Sequence, residues 1–276
     1  METLIMKPFR WNLTERVQKA IDADVIIISI GKSGRTWLRV LLDHYFSSTQ
    51  RACHDIEAAP ENISKNPNIY FTHELWEHRT KANIFNKAVG KYLIPNKILD
   101  RKKIVILYRD PRDTAVSLFH HKTKRSKKKY DKNISSFIRD RTHGIESIID
   151  VMNKWSRQLA GHRDCLWISY ESLKADTQRA LIQIVEFITN HSANSDRISE
   201  AVQFGDFKNM KKMEASGSFN TTILSPTNPN NQNSYKVRKG KVGGYKDELS
   251  GTDVEFVDSI VSMLDKRFTS QVTVMS

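Results

Sequence analysis

Asp24-Val-Ile-Ile-Ile-Ser-Ile-Gly-Lys-Ser-Gly-Arg-Thr-Trp-Leu-Arg39 runs from an apolar strand through a glycine-punctuated loop into the start of a helix, and that order decides the fold. Val25 to Ile30 is too uniformly apolar for a strand with one wet face and too short to span a membrane. It reads as a central parallel strand covered on both sides. Gly31 to Thr36 then turns the chain into Trp37–Phe46, whose apolar residues run nearly all round and predict a buried helix. Such a junction binds anions. Loop amides form a concave nest, the first-turn N–H groups lack internal partners, and the helix dipole adds positive potential. Lys32 supplies a mobile charge, and Ser33, Arg35 and Thr36 supply further donors. Gly31-Lys32-Ser33 matches the end of the Walker loop G-x-x-x-x-G-K-[ST], but Ile26 stands where its first glycine belongs, so the loop is shorter and suits a smaller anion.

With 276 residues the chain can bury one large α/β core, and a single domain over 1–276 is expected. No run of eighteen apolar residues occurs, and Met1–Leu13 lacks the features of a secretory signal, so a cytoplasmic protein without a transmembrane segment is expected. Cys53 and Cys165 are too few and too isolated for a disulfide framework or zinc site, and no metal is expected. The formal charge of +13 favours anionic ligands. Much of it lies in a basic loop at 120–132, which reads either as a solvated loop or as a flap meeting an acidic substrate or a ligand's phosphates.

Residues 1–23 read as an amphipathic lead-in anchored by Trp11, Leu13 and Val17. Ile69–Thr72 is a second strand ending at His73, on the rim that also carries Lys32, because ligands of such sheets sit beyond the carboxyl ends of strands. Position alone leaves His73 structural or chemical. Lys103–Tyr108 is a third strand, followed by a well-signalled helix start: Asp110 as N-cap, Pro111 at the first position, Asp113 in the first turn. Helical spacing puts Asp110, Asp113, Thr114, Ser117 and His121 on one face. Arg109 is free either to pair with Asp113 or to hold a phosphate. Ile134–Leu159 reads as one long amphipathic helix with Gly144 as its weak point, Cys165–Ser169 as a strand, 180–188 as its covering helix and 203–213 as a short helix. A polar loop at 215–235 leads into 236–246, three glycines among five cations, and Gly251–Phe268 reads as one closing helix. Strands alternating with helices predict an α/β fold, a P-loop-like parallel sheet with helices on both faces.

Three anion-competent segments, 31–37, 109–117 and 236–246, together resemble the sulfotransferase family, whose donor is 3′-phosphoadenosine 5′-phosphosulfate. Gly31-Lys-Ser-Gly-Arg-Thr-Trp37 resembles the family's P-K-S-G-T-T-W loop, Arg109 through Ser117 its R-x-P-x-D-x-x-x-S segment, and Arg238-Lys239-Gly240-Lys-Val-Gly243 its R-K-G-x-x-G clasp. Thr72-His73 is similar to its T-H pair, Tyr170-Glu171 to a Y-E pair and Phe207-Lys-Asn-Met210 to an F-x-x-M segment at the adenine site. The resemblance implies that Lys32, Ser33, Gly34, Arg35, Thr36 and Trp37 hold the donor's 5′ side, with Arg109, Ser117, Arg238, Lys239 and Gly240 on its 3′-phosphate and Tyr170 and Phe207 at adenine. It further implies that His73 is the base, that Lys32 stabilises the departing bridging oxygen, and that Ser117 restrains Lys32 until an acceptor arrives. Glu74 is the reserve base. The chain departs from the pattern at Gly31 (Pro), Arg35 (Thr), Phe71 (lysine in several cytosolic members) and Gly244-Tyr245 (Asp-Trp).

Two alternatives come from the residues themselves. A small-molecule or nucleoside kinase also suits Gly-Lys-Ser after a strand and is distinguished by its magnesium requirement. A nucleic-acid-binding protein could use the 120–132 run and is distinguished by strong salt dependence. On the sulfotransferase reading no nucleic acid is expected, and the acceptor is a small molecule, glycan or lipid met by the loops 47–68, 74–100 and 215–235, where no motif names it. A homodimer rests on a loose similarity of Lys246–Glu255 to a dimer segment of some cytosolic members, with Ser250-Gly251 in place of Thr-Val.

Overall fold

This computed structural model describes residues 14–54, 66–88, 90–126, 129–216, 235–237 and 240–269. Four strands, β1 (Val25–Ser29), β2 (Ile69–Thr72), β3 (Lys103–Tyr108) and β4 (Cys165–Ser169), pair in parallel in the order β2-β1-β3-β4. The register aligns Val25 with both Ile69 and Lys103, and Ile104 with Cys165.

Alternation along the strands builds two cores. Ile26, Ile28, Ile104, Ile106 and Tyr108 face one side, under Phe137, Ile148, Met152 and Trp155. Val25, Ile27, Val105, Leu107 and Ile168 face the other, against Leu38, Leu41 and Leu42 of the Arg35–His54 helix and Leu181, Ile184 and Val185 of the Thr177–Thr189 helix. With both faces dry, the strand sequences show no polar alternation, which is why Val25–Ser29 reads as an unbroken apolar run.

The helices depart from expectation at several breaks. The predicted helix over 134–159 is two, Ile134–Ile138 and Ile145–Gln158. Between them the Asp140 carboxylate accepts the backbone N–H groups of Thr142 and His143 at 2.9 and 2.8 Å. A Cβ on Gly144 would lie 2.5 Å from the carbonyls of Ile138 and Asp140, so no side chain fits at that corner. Residues 203–213 likewise span two helices, Ser195–Phe204 and Phe207–Ser216. The closing helix stops at Val261 and a short turn, Lys266–Thr269, follows; Asn153 Oδ1 accepts from Asp265 N at 2.8 Å and holds the break. Ser250 is simply the N-cap of Gly251–Val261, its hydroxyl accepting from Asp253 N at 3.2 Å.

The basic run is not a loop from end to end. Residues 120–124 form the last turn of the Pro111–Lys124 helix, and Tyr130 returns to it, donating its N–H to the Lys122 carbonyl at 3.1 Å and packing edge-on against Phe137. Val17 sits half-buried in a Thr14–Asp22 helix, whereas Trp11, Leu13, the side chain of Cys53, residues 127–128 and most of the 215–235 loop lie outside the described residues. The thiol of Cys165 is pushed up to about 12 by burial and stays protonated. Among the described residues no helix is long and apolar enough to cross a membrane.

Candidate active site

The strand order fixes what meets at the carboxyl edge of the sheet. Going across it, β2 delivers His73, β1 the Gly31–Thr36 loop, β3 Arg109 and β4 Tyr170. Neighbouring strands lie about 4.8 Å apart, so these groups form one row along a single edge. A cleft of about 580 Å³ opens above it and is lined by Gly31, Lys32, Gly34, Arg35, Thr36, Trp37, His73, Arg109, Ser117, Tyr170, Phe207 and Gly240. Three expected residues stand apart. Ser33 is buried and absent from the lining, while Arg238 and Lys239 lie outside the described residues.

The loop is wound tightly enough to leave the ordinary backbone regions. Lys32 has φ 78° and Gly34 φ 91°. A left-handed lysine costs about 1 kcal/mol, a strain of the kind that gathers at functional sites. A Cβ at Gly34 would come within 2.6 Å of Tyr170 Cδ2, so glycine is what lets the loop settle against that ring. Trp37 Nε1 donates to the Gly205 carbonyl at 2.8 Å, tying the helix start to the break before Phe207. A Cβ at Gly205 would strike Leu41 at 2.5 Å, so only glycine fits at that break.

Arg109 does both things left open by its sequence: it lines the cleft and pairs with Asp113. One terminal nitrogen donates to Asp113 Oδ2 at 3.1 Å and to the Lys241 carbonyl at 2.9 Å, and the guanidinium lies over the Tyr170 ring at 4.4 Å. Its buried Nε has no partner among the described residues. Asp113 also accepts from Gly243 N and Tyr245 N, each at 2.9 Å, and so draws the glycine-rich 240–247 segment to Arg109. Phe207 is an exposed aromatic in the lining, and a Cβ on Gly240 would meet its ring at 2.6 Å. Met210, three residues on, also lines the cleft; Glu171 does not, its carboxylate accepting from Asp110 N at 3.1 Å.

Lys32 is the cation at the bend. Burial in the cleft, with Arg125 and Lys236 nearby, lowers its ammonium to about 8. Glu214, fully buried, organises those neighbours, accepting from Lys236 N at 2.6 Å and Val237 N at 2.9 Å and pairing with Arg125 at 3.4 Å. The sequence gives no sign of this, because Glu214 and Lys236 are separated by the long polar loop. Ser117 lines the same cleft, yet no hydrogen bond joins it to Lys32 among the described residues.

His73 Nδ1 lies 2.7 Å from the Ser29 carbonyl. A carbonyl only accepts, so Nδ1 carries the hydrogen and Nε2 keeps its lone pair. Burial, and after it the charge of Arg35, lowers His73 to about 4, so the ring is neutral at pH 7 and able to take a proton. Glu74 takes no part in this cleft. It lines a separate opening with Lys154 and Arg157, and its Oε1 accepts from Ile94 N at 3.2 Å. Burial pushes its carboxyl up to about 7.

The wall beyond His73 draws on two segments that the sequence marks, 74–100 as an acceptor region and 120–132 as a possible flap, without naming their residues. Trp76, Glu77, Thr80 and Lys81 of the Trp76–Lys81 helix line it, with Lys122 and His143 opposite. The helix's few residues carry no motif of their own, and only the fold brings them over His73. Among the described residues no three His, Cys, Asp or Glu side chains group to hold a metal ion.

A family profile described as a sulfotransferase domain matches residues 22–269. Cytosolic sulfotransferase 12 of Arabidopsis thaliana is 23% identical over 266 residues, covering 88% of this chain and 77% of that protein. Sulfotransferase 2B1 of Homo sapiens is 27% identical over 258 residues, covering 90% of this chain and 67% of that protein. Among solved structures, mouse sulfotransferase SULT7A1 complexed with PAP superposes with a TM-score of 0.63 at 20% identity, over 94% of this chain and 93% of that one. A retinol dehydratase in complex with androsterone and PAP gives a TM-score of 0.59 at 17% identity, over 90% and 84%.

Proposed function

The chain belongs to the sulfotransferase family, and from that premise we propose that it transfers a sulfuryl group from 3′-phosphoadenosine 5′-phosphosulfate to a hydroxyl or amine, in the cytoplasm, with His73 as the base and Lys32 at the leaving oxygen. The observation that carries this reading is the row across the sheet edge: an imidazole with a free Nε2, then a cationic loop, then an arginine, then an aromatic ring. A base beside one cation group and apart from a second is what a donor with a reactive 5′ end and a separate 3′-phosphate requires.

The residues fit such a donor. Gly34 and Gly240 let the loop backbones close against the Tyr170 and Phe207 rings, Arg109 lines the cleft with a buried Nε that has no partner among the described residues, and Phe207 offers an exposed face for stacking. The donor supplies the sulfuryl group and an anionic leaving group. His73 Nε2 accepts the acceptor's proton as the new S–O or S–N bond forms and the bond to the bridging oxygen breaks. The Lys32 ammonium faces the negative charge left on that oxygen. Arg109, Arg238, Lys239, Gly240 and Ser117 hold the 3′-phosphate, and Gly34, Arg35, Thr36 and Trp37 frame the 5′ side over the buried Ser33, with Tyr170 and Phe207 at the base.

Single-turnover transfer of labelled sulfate, with donor saturating, tests the assignment. His73→Asn should lose on the order of 10²–10⁴ in rate with adenosine 3′,5′-bisphosphate affinity nearly intact, because the imidazole meets the acceptor rather than the nucleotide. A folded His73→Asn enzyme within about tenfold of wild type removes this residue from the chemistry.

A further inference from the structure

The wall beyond His73 carries more positive charge than the donor needs. Arg109 and Lys32 already face the donor's two ends. Past His73, Lys122 lines the same cleft, and its side chain has no ion pair or hydrogen bond among the described residues. Lys122 comes from the last turn of the Pro111–Lys124 helix that follows β3, and Lys81 from the Trp76–Lys81 helix after β2, the strand on the other side of β1.

The carboxylates in the lining do not neutralise this wall. Glu77 is shared between Lys81, at 2.7 Å, and Arg16, Asp113 and Glu248 are taken by Arg109 and His120, and Asp206, beside Phe207, accepts from Lys208 N at 2.8 Å. Burial, followed by the charge of Lys81, pulls the Lys122 ammonium down from its ordinary value, so the two cations feel each other across the opening. Asp140 offsets part of this effect but makes no ion pair with Lys122 among the described residues, and a half-buried ammonium left without a direct partner is favoured by an anion entering the cleft. Trp76 adds an apolar surface beside them.

We propose that the acceptor carries a second, anionic group, a carboxylate, phosphate or sulfate, and that Lys122, with Lys81 facing it, binds that group while the reacting hydroxyl or amine lies at His73. The inference rests on the sulfotransferase reading of the cleft, and it narrows the acceptor to acidic molecules.

The test is calorimetric titration of phenyl phosphate, phenylacetate and neutral phenylacetamide into the full chain saturated with adenosine 3′,5′-bisphosphate, so that the donor's phosphate sites are filled. At least one anion should bind about tenfold or more tightly than the amide, the scale of one charge-assisted contact. Lys122→Gln should remove that preference and leave affinity for adenosine 3′,5′-bisphosphate within twofold. Equal binding of the three probes, or a preference that survives Lys122→Gln, overturns the proposal. If wild type does not bind adenosine 3′,5′-bisphosphate, it is the donor reading that fails, and the same probes titrated against the unliganded protein and Lys122→Gln then decide whether this wall binds anions.

Discussion

Asp113→Asn removes one charge from the point where Arg109 and the 240–247 segment meet. Asp113 is almost fully buried; its Oδ2 accepts from Gly243 N at 2.9 Å and Arg109 at 3.1 Å, and its Oδ1 from Tyr245 N at 2.9 Å. An amide presents oxygen to one side only. Turned to keep Gly243 and Arg109, it sets its NH₂ against the Tyr245 N–H, leaving a buried donor unmade at a cost of about 1–3 kcal/mol. The contact to Arg109 also loses its ionic character, a further loss on the order of 1 kcal/mol. Together these come to roughly 3 kcal/mol. The 240–247 segment can lift off without unfolding either face of the sheet, so the loss should appear chiefly in ligand affinity: adenosine 3′,5′-bisphosphate should bind about 10–100-fold more weakly by calorimetry, with the thermal midpoint lowered by only a few degrees. Affinity within twofold of wild type would refute the view that Asp113 organises the phosphate end.

Glu74→Gln should stabilise the protein above pH 7 and leave turnover within about threefold, since Gln keeps the bond to Ile94 N and the residue faces away from the cleft. The folded carboxyl is raised from 4.5 to about 7, so native stability falls as pH rises through that window. Denaturant midpoints should therefore show the variant ahead on the order of 3 kcal/mol at pH 8 and nearly level at pH 5, and an equal gain at both pH values would sink the linkage. Lys32, lowered to about 8, should regain its proton when an anion arrives, so adenosine 3′,5′-bisphosphate binding at pH 8–9 should take up a fraction of a proton, read from binding heats in buffers of different ionisation enthalpy. Lys32→Arg, always charged, should abolish the uptake; persistence would assign it to another group.

The strands were legible because each is buried on both faces, which leaves an apolar signature that needs no partner to be read. The Asp110 cap was legible for the same local reason, and it accepts from Arg112 N at 2.8 Å as its position implied. Of the helix breaks, the one at Gly144 was legible because it rests on near neighbours, whereas the other two involve contacts distant in sequence: Gly205 with Trp37 and Leu41, and Asp265 with Asn153. The site divides along the same line. Groups at strand ends could be placed from the order of elements, whereas Glu214 under Lys236, and Lys122 across from Lys81, required the fold to bring separate segments together.

The departures from the family pattern acquire a physical sense once the sheet edge is assembled. Phe71, where several cytosolic members have lysine, lies under the Arg39 guanidinium, 4.3 Å from its centre, on the strand that ends at His73. Arg39 is one turn along the helix from Arg35, which stands where the family has threonine and lines the cleft. The strand next to the base has lost a cation, and the first turn of the neighbouring helix has gained one. A guanidinium stays charged where a buried ammonium would tend to shed its proton, and burial together with Arg39 brings Arg35 down only to about 10. Positive charge beside His73 is thus kept with a group that stays protonated and cannot act as a base, which on the proposed mechanism leaves the neutral imidazole free to take the acceptor's proton.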